Sequence, residues 1–298
     1  MTSLSVVIVT RNRRDDVMAL LSDLERIPFS SGDEVALVDN GSADGTAERV
    51  KERFPGVLLI RHDKNRGAPA ARNTGAAATR GDILVFLDDD TRVEDPEFSH
   101  RIRALFQDER EAGAVAFRIL DPATRRSRRF EVPRRRKDLA AEPCETSYFI
   151  SAGCAVRRSV FEALGGMDEA LTYGFEELDF SYRAVSRGFR IFYRPGIEVL
   201  HRLSDAGRPG WRRTYYFYRN KIWISARYLP WRMFLTQVAV WSAYFLKEAV
   251  RIGRPDIFLA AAAAGIGGIP ARIRMRRRDR IPPEALLRLR RIEGRLYY

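Results

Sequence analysis

The hydrophobic pattern of the first ninety residues alternates between two periods. Short apolar runs, rich in β-branched residues, predict strands at residues 4–9, 34–38, 57–60 and 83–87. The segments between them place apolar or alanine side chains at helical spacing, over residues 15–27, 44–54 and 68–79. Because strand and helix alternate with short links, we predict an α/β fold with a parallel sheet in this part of the chain.

The apolar run at 83–87 is continuous, which is typical of a strand buried on both faces, and it leads directly into Asp88, Asp89 and Asp90. Parallel sheets place their ligand sites beyond the carboxyl ends of the strands. Neighbouring carboxylates repel one another unless a cation neutralises them. Asp88 and Asp90 can both reach one Mg²⁺, which binds one or two carboxylates together with substrate phosphates. We therefore predict an Asp-x-Asp clamp for a metal-bound phosphate ester; the alternative is a solvated acidic turn.

Two common nucleotide-binding signatures are missing after the first predicted strand. The turn at residues 10–13 contains no Gly-x-Gly-x-x-Gly fingerprint and no P-loop. Asp39, at the end of the second strand, could instead hold a ribose hydroxyl or a base edge. Its alternative is an ordinary turn aspartate, since Asp-Asn-Gly is good turn chemistry.

Beyond Asp90 the pattern is less regular. It predicts helices at 96–108 and 176–187, and strands at 113–120, 145–156, 190–193 and 197–200. The arginine-rich stretch 125–137 is expected to be a solvated loop, with a phosphate or membrane contact as the alternative.

A second group of acids, Glu176, Glu177 and Asp179, opens the predicted helix at 176–187. Acids suit the positive end of a helix dipole, so capping is one interpretation. Three acids within four residues exceed what a cap needs, so one of them could be a general base. His201, at the end of a predicted strand, is either structural or a metal ligand.

Composition narrows the class of partner. The 298 residues carry 52 Lys and Arg against 39 Asp and Glu, a net charge of +13, and nearly all the cations are arginine. Arginine binds phosphate through a planar fork, so nucleotide, nucleic acid and anionic lipid are plausible partners. The first residues do not have the pattern of a secretory signal. Cys144 and Cys154 are therefore expected to be thiols in a reducing, cytoplasmic compartment.

From residue 204 the chain becomes aromatic and rich in arginine. Aromatic and apolar stretches at 211–223, 231–246 and 257–269 are followed by an arginine cluster at 272–280. Neither 231–246 nor 257–269 is expected to reach the roughly twenty uninterrupted apolar residues of a membrane span. Residues 211–280 are therefore expected to contact an anionic cytoplasmic membrane surface, with a helical domain packed on the core or a dimer interface as alternatives.

Taken together, five motifs resemble the family 2 glycosyltransferases of GT-A fold. They occur in the family's order, at residues 6–10, 38–42, 71–75, 86–90 and 176–179, and cover roughly the first two hundred residues. The resemblance implies an α/β GT-A fold, with a Rossmann-like mixed sheet flanked by helices and a C-terminal helical extension. We divide the chain into a catalytic domain at 1–203 and a helical region at 204–298.

The resemblance also implies a chemistry: inverting transfer of a sugar from a nucleotide-diphosphate donor, with Mg²⁺ or Mn²⁺. It implies donor contacts that are listed here in chain order: Thr10, Asn12, Asp39 on the base, Arg72 near the diphosphate, Asp88 at the ribose, and Asp89. The metal would be held by Asp90 with Asp88 and His201. Arg11 departs from the family, where an aromatic residue is common, which leaves no stacking partner for the base at that position.

The acceptor base implied by the resemblance is Glu177, a Glu where Asp is commoner, with Glu176 and Asp179 as rivals. A sugar hydroxyl is a poor nucleophile, so a carboxylate must accept its proton while a metal and Arg stabilise the leaving diphosphate. The acceptor would be a saccharide or a lipid-linked molecule of the cell envelope, with no nucleic acid expected. The rivals are a sugar nucleotidyltransferase and a non-catalytic membrane- or RNA-binding module.

Overall fold

A computed structural model describes residues 2–204, 210–279 and 281–293, without the side chains of 276–279 and 290. Within these ranges the strands are β1 (Leu4–Thr10), β2 (Glu34–Asp39), β3 (Leu58–Arg61), β4 (Ile83–Asp88), β5 (Thr91–Arg92), β6 (Ala112–Leu120), β7 (Cys144–Thr146), β8 (Gly153–Arg157) and β9 (Arg190–His201). The helices are α1 (Arg14–Leu24), α2 (Thr46–Arg53), α3 (Ala68–Ala78), α4 (Phe98–Asp108), α5 (Arg158–Ala163), α6 (Glu176–Ser186), α7 (Gly210–Tyr228), α8 (Trp231–Arg251), α9 (Pro255–Asp279) and α10 (Pro283–Arg291).

All these strands belong to one mixed sheet. Its order is β3-β2-β1-β4-β8-β6-β9-β5, and β7 pairs with β9. The first four strands in that order are parallel, as predicted, whereas β8 runs antiparallel between β4 and β6. The register places Thr10 opposite Asp39, and Val9 opposite Asp88. The carboxyl ends of β1, β2 and β4 therefore meet at one edge.

The continuous apolar run of β4 is explained by a core on each side of the sheet. Leu84 and Phe86 pack towards α5 and α6, whereas Val85 and Leu87 pack towards α1 and α4. All four side chains are fully buried. Since neighbouring residues of a strand point to opposite faces, a strand covered twice needs apolar residues at every position.

Three predictions for the middle of the chain are wrong in detail. The strands expected at 190–193 and 197–200 form the single strand β9, which has a register irregularity against β6 between Phe117 and Arg118. The strand expected at 145–156 is divided into β7 and β8. The stretch 125–137 is not simply a solvated loop, because Glu131 and Arg134 are buried in it.

The C-terminal helices contact both the core beside the sheet and one another. Ile224 and Tyr228 of α7 and Leu289 of α10 belong to the same core as α6. Helix α9 approaches α7 closely at Gly265, where an added Cβ would lie 2.6 Å from the Ile222 side chain. The predicted alternative of a helical region packed on the core is therefore realised for α7 and α10.

One further expectation for this region does not hold. Residues Pro255–Met275 of α9 are, by length and composition alone, long and apolar enough to cross a membrane. Helix α9 extends beyond both ends of the apolar stretch predicted at 257–269, so the candidate span has 21 residues. Less than a quarter of the most apolar 18-residue part of this helix is buried.

Candidate active site

The predicted edge of the sheet carries a dense network of buried polar groups. The Thr10 hydroxyl donates to Asp89 (2.8 Å), and Arg13 Nη1 donates to the other Asp89 oxygen (2.8 Å). Arg13 also lies 3.1 Å from Asp90 Oδ2. Burial works against the charge of Arg13, but Asp89 and Asp90 outweigh it and raise its pKa. Asp89 therefore ties the β1 turn to the β4 turn.

Arg13 was not among the predicted site residues. Its one signal in the sequence is its place in the turn after the first strand, near Thr10. A turn arginine is usually solvated, so the burial of Arg13 against Asp89 and Asp90 became evident only from the structure.

Asp88, Asp90 and His201 come together as predicted. One ligand atom from each lies within 4.8 Å of the others. His201 Nε2 is 3.2 Å from Asp90 Oδ1, and the Ser204 amide donates to Asp90 Oδ2 (2.8 Å). Two carboxylates and one imidazole are a suitable donor set for a divalent cation that keeps further positions for phosphate oxygens.

The charge state of His201 is set by its neighbours. Burial disfavours the imidazolium, but hydrogen bonds to Asp90 and Glu131 and the charges of Asp90 and Asp88 raise the pKa of His201 to about 9. Without a metal, His201 is therefore a cation that neutralises the acidic cluster. A metal bound at Nε2 would replace the proton that this nitrogen carries in the imidazolium.

Arg72 joins the two acidic segments of the sequence. From α3, its Nη2 donates to Asp88 Oδ1 (2.7 Å) and its Nη1 donates to Glu176 Oε1 (2.8 Å). The guanidinium is buried, yet the charges of Asp88 and Glu176 raise its pKa. The end of β4 and the start of α6 therefore face the same buried cation.

The three acids of α6 have different environments. Asp179 accepts hydrogen bonds from Arg183 (2.9 Å), Arg227 (2.7 Å) and the Tyr228 hydroxyl (2.8 Å), and is fully buried. These partners account for both of its oxygens. The carboxylate therefore connects α6 to α7.

Glu176 and Glu177 are less completely bonded. Among the described residues, nothing donates a hydrogen bond to the buried Glu176 Oε2. Burial and the charge of Glu177 raise the pKa of Glu176 to about 7, although Arg72 opposes the shift. Glu177 is half-buried, and its Oε1 accepts from the Ser151 hydroxyl (2.8 Å). Ser151 was not among the predicted site residues.

The candidate nucleoside residues lie at the neighbouring strand ends. Asp39 is fully buried, and its Oδ1 accepts from the Ser42 amide (2.9 Å). Among the residues that the structure describes, Asp39 Oδ2 accepts no hydrogen bond, and Arg61 Nε lies 3.8 Å from it. Asn12 Oδ1 accepts from the Ala43 amide (2.8 Å), so Asn12 holds the β1 and β2 turns together.

Comparison with known proteins gives a consistent result. The model of the family described as "Glycosyl transferase family 2" matches residues 5–165. A pre-mycofactocin glycosyltransferase of Mycobacterium tuberculosis is 31% identical over 66% of this chain and 42% of its own length. An O-antigen chain rhamnosyltransferase of Salmonella anatum is 26% identical over 64% of each chain. The chain thus spans less than two thirds of the length of either relative.

A solved structure extends the likeness to nearly the whole chain. It is a mannosyltransferase of Pyrobaculum calidifontis in complex with GDP-Man and Mn²⁺. The similarity covers 97% of this chain and 87% of that one, with a TM-score of 0.61 at 18% identity.

Proposed function

The chain belongs to glycosyl transferase family 2, and we propose that it transfers a sugar from a nucleotide-diphosphate donor to an acceptor hydroxyl with inversion. Its GT-A fold, a mixed α/β sheet with C-terminal helices, is the one predicted from the sequence. The observation that carries the proposal is the bridge made by Arg72 between Asp88 and Glu176. This bridge supports a single site formed by the candidate donor residues and the start of α6, where Glu176 is followed by the candidate base Glu177.

Asp88, Asp90 and His201 would hold Mg²⁺ or Mn²⁺, which when bound neutralises charge on the leaving diphosphate. Arg72 would lie beside the same phosphates. Because it already contacts Asp88 through one nitrogen, it can stabilise negative charge there without a large movement.

The donor's nucleoside would lie over the ends of β1 and β2. Asp39 would accept a hydrogen bond from the base through Oδ2, which accepts none from the residues that the structure describes. Thr10 and Asn12 would shape this pocket through the turns that they hold. Asp89 is proposed to act through Thr10 and Arg13, since both of its oxygens already accept hydrogen bonds from them.

Glu177 is our choice for the acceptor base. Asp179 accepts hydrogen bonds from three donors, which occupy both of its oxygens. Glu176 binds Arg72. Glu177 is more exposed than either, and Ser151 fixes only one of its oxygens.

The acceptor is proposed to belong to cell-envelope polysaccharide or glycolipid assembly, in line with the O-antigen relative. We also infer that the exposed face of α8 and α9 lies on the inner surface of an anionic membrane. Exposed apolar side chains on this face include Val240, Val250, Leu259 and Ile266. Arg251 and Arg254 stand exposed near them, whereas Arg280 and the side chains of Arg276, Arg277 and Arg278 lie outside the described residues.

A thermal-shift screen of the full chain with UDP, GDP, dTDP and CDP, each with and without Mn²⁺, tests the donor proposal. We expect one nucleotide to raise the melting temperature only when Mn²⁺ is present. Asp90→Asn should remove that effect, whereas Asp108→Asn, an exposed acid on α4, should keep it. Stabilisation by none of the four nucleotides would contradict the proposal. A shift with a nucleoside triphosphate and a sugar phosphate instead would favour the nucleotidyltransferase alternative, and one with RNA or vesicles alone a binding module.

A further inference from the structure

Glu131 is a buried acid to which neither the motifs nor the proposed reaction assigns a role. It lies in the long connection between β6 and β7, seventy residues from His201 in sequence. Its side chain is 1% exposed, and its Oε1 is 2.6 Å from His201 Nδ1. An acid buried this completely needs partners that compensate its lost hydration.

Arg128 supplies the second partner. Its Nη1 lies 3.2 Å from Glu131 Oε2 and donates to the His201 carbonyl oxygen (2.9 Å). Arg128 also forms an ion pair with Asp121. The connection between β6 and β7 is thus fixed to the end of β9 at both the backbone and the imidazole of His201.

The chemistry of this contact determines which imidazole nitrogen faces the acidic cluster. In a hydrogen bond between an imidazole N–H and a carboxylate oxygen the nitrogen is the donor, so Nδ1 carries a proton and donates to Glu131. The other nitrogen, Nε2, then lies 3.2 Å from Asp90 Oδ1. A histidine that binds a metal through one nitrogen commonly donates its other N–H to a carboxylate, which fixes the ring and increases its basicity.

We propose that Glu131 is a positioning residue that holds His201 with Nε2 directed at the cation of the Asp88–Asp90 site. The inference rests on the proposed function, because it presupposes that a cation binds there. It adds a residue to the site from a loop that carries none of the family's motifs. It also explains why an acid is buried in an otherwise arginine-rich stretch.

Mn²⁺ titration of the full-length protein, followed by the EPR signal of the free ion, tests the proposal. Glu131→Gln retains the size of the side chain but removes its charge. We expect it to weaken Mn²⁺ binding about 10- to 100-fold. Pulsed EPR should show nitrogen coupling to the bound Mn²⁺ in the parent protein, loss of that coupling in His201→Asn, and a diminished coupling in Glu131→Gln.

A matched control separates this effect from the loss of a Glu–Arg pair. Glu145 pairs with Arg190 and Arg288 away from the site, so Glu145→Gln should leave Mn²⁺ affinity and the nitrogen coupling unchanged. Equal Mn²⁺ binding by Glu131→Gln and the parent, with weakened binding in His201→Asn, would overturn the role of Glu131 and leave the proposed function intact. No Mn²⁺ binding by the parent would overturn the metal site itself, and the role of Glu131 with it.

Discussion

The two halves of the predicted domain division differ sharply in charge. Residues 1–203 contain 32 Lys and Arg against 33 Asp and Glu, whereas residues 204–298 contain 20 against 6. In the first region, buried arginines such as Arg13, Arg72 and Arg103 each face an acid. The net charge of +13 therefore resides entirely in the last 95 residues.

This difference indicates two uses of the same side chain. In residues 1–203 these buried arginines are paired with acids of the same region. In residues 204–298 the cations outnumber the acids: Arg227 and Arg272 are buried and pair with Asp168, whereas Arg251 and Arg254 are exposed. That combination favours attraction to an anionic surface.

The two regions are nevertheless connected at the site. Asn220, fully buried in α7, donates to the carbonyl oxygens of Leu171 (2.8 Å), Tyr173 (3.1 Å) and Gly174 (2.8 Å). This segment immediately precedes Glu176 and Glu177. The boundary proposed at 203 and 204 thus separates two charge regimes, while α7 supports the start of α6.

The largest effect is expected on the rate of sugar transfer, from Glu177→Gln, because the proposed catalytic residues all lie in the first region. Loss of a general base typically lowers a rate by about 10²- to 10⁴-fold. Donor binding, measured by the thermal shift with Mn²⁺ and nucleotide, should remain. Ser151→Ala, which removes only the hydroxyl that contacts Glu177, should have a smaller effect. Persistent transfer by Glu177→Gln would move the role of base to Glu176 or Asp179.

Asp179→Asn tests the connection between the regions. The change removes the anion that Arg183 binds and leaves Arg227 paired with Asp168, and breaking a buried pair in this way costs about 3–5 kcal/mol. We expect a corresponding loss in the free energy of unfolding, measured with urea. Glu248→Gln, on the exposed surface of α8 beside Arg251, should change stability by less than about 1 kcal/mol. A stability of Asp179→Asn equal to that of the parent would show that α7 is not anchored through this carboxylate.

The smallest effect is expected at the membrane. Leu259 and Ile266 are 66% and 63% exposed on α9, so replacing both by Glu should leave the fold intact. Binding to vesicles that contain anionic lipid, measured by co-sedimentation, should fall roughly tenfold or more, because burying each side chain contributes about 1.5–3 kcal/mol.

Leu58→Glu, an exposed apolar position on β3 in the first region, is the matched control and should bind vesicles as the parent does. Equal binding by the α9 variant would remove the proposed surface. Retention of the parent on membranes after alkaline carbonate extraction would instead indicate that α9 spans the bilayer.

Several features followed from the sequence alone. The alternation of apolar runs and helical spacing predicted the first four strands and three helices, and the run ending in Asp88–Asp90 placed the acidic cluster at the edge of the sheet. The five ordered motifs identified the family. These features are local or short-range, so the order of residues encodes them directly.

Only the tertiary structure decided which side chains are partners. Arg72 and Glu176 lie 104 residues apart in the sequence. His201 contacts Glu131, which lies in the stretch predicted to be a solvated loop. Likewise, two of the three donors to Asp179, Arg227 and Tyr228, belong to α7, which no periodicity links to α6. The physical reason is that hydrophobic pattern reports how deeply each segment is buried, whereas the partner of a buried charge depends on which distant segments pack against it.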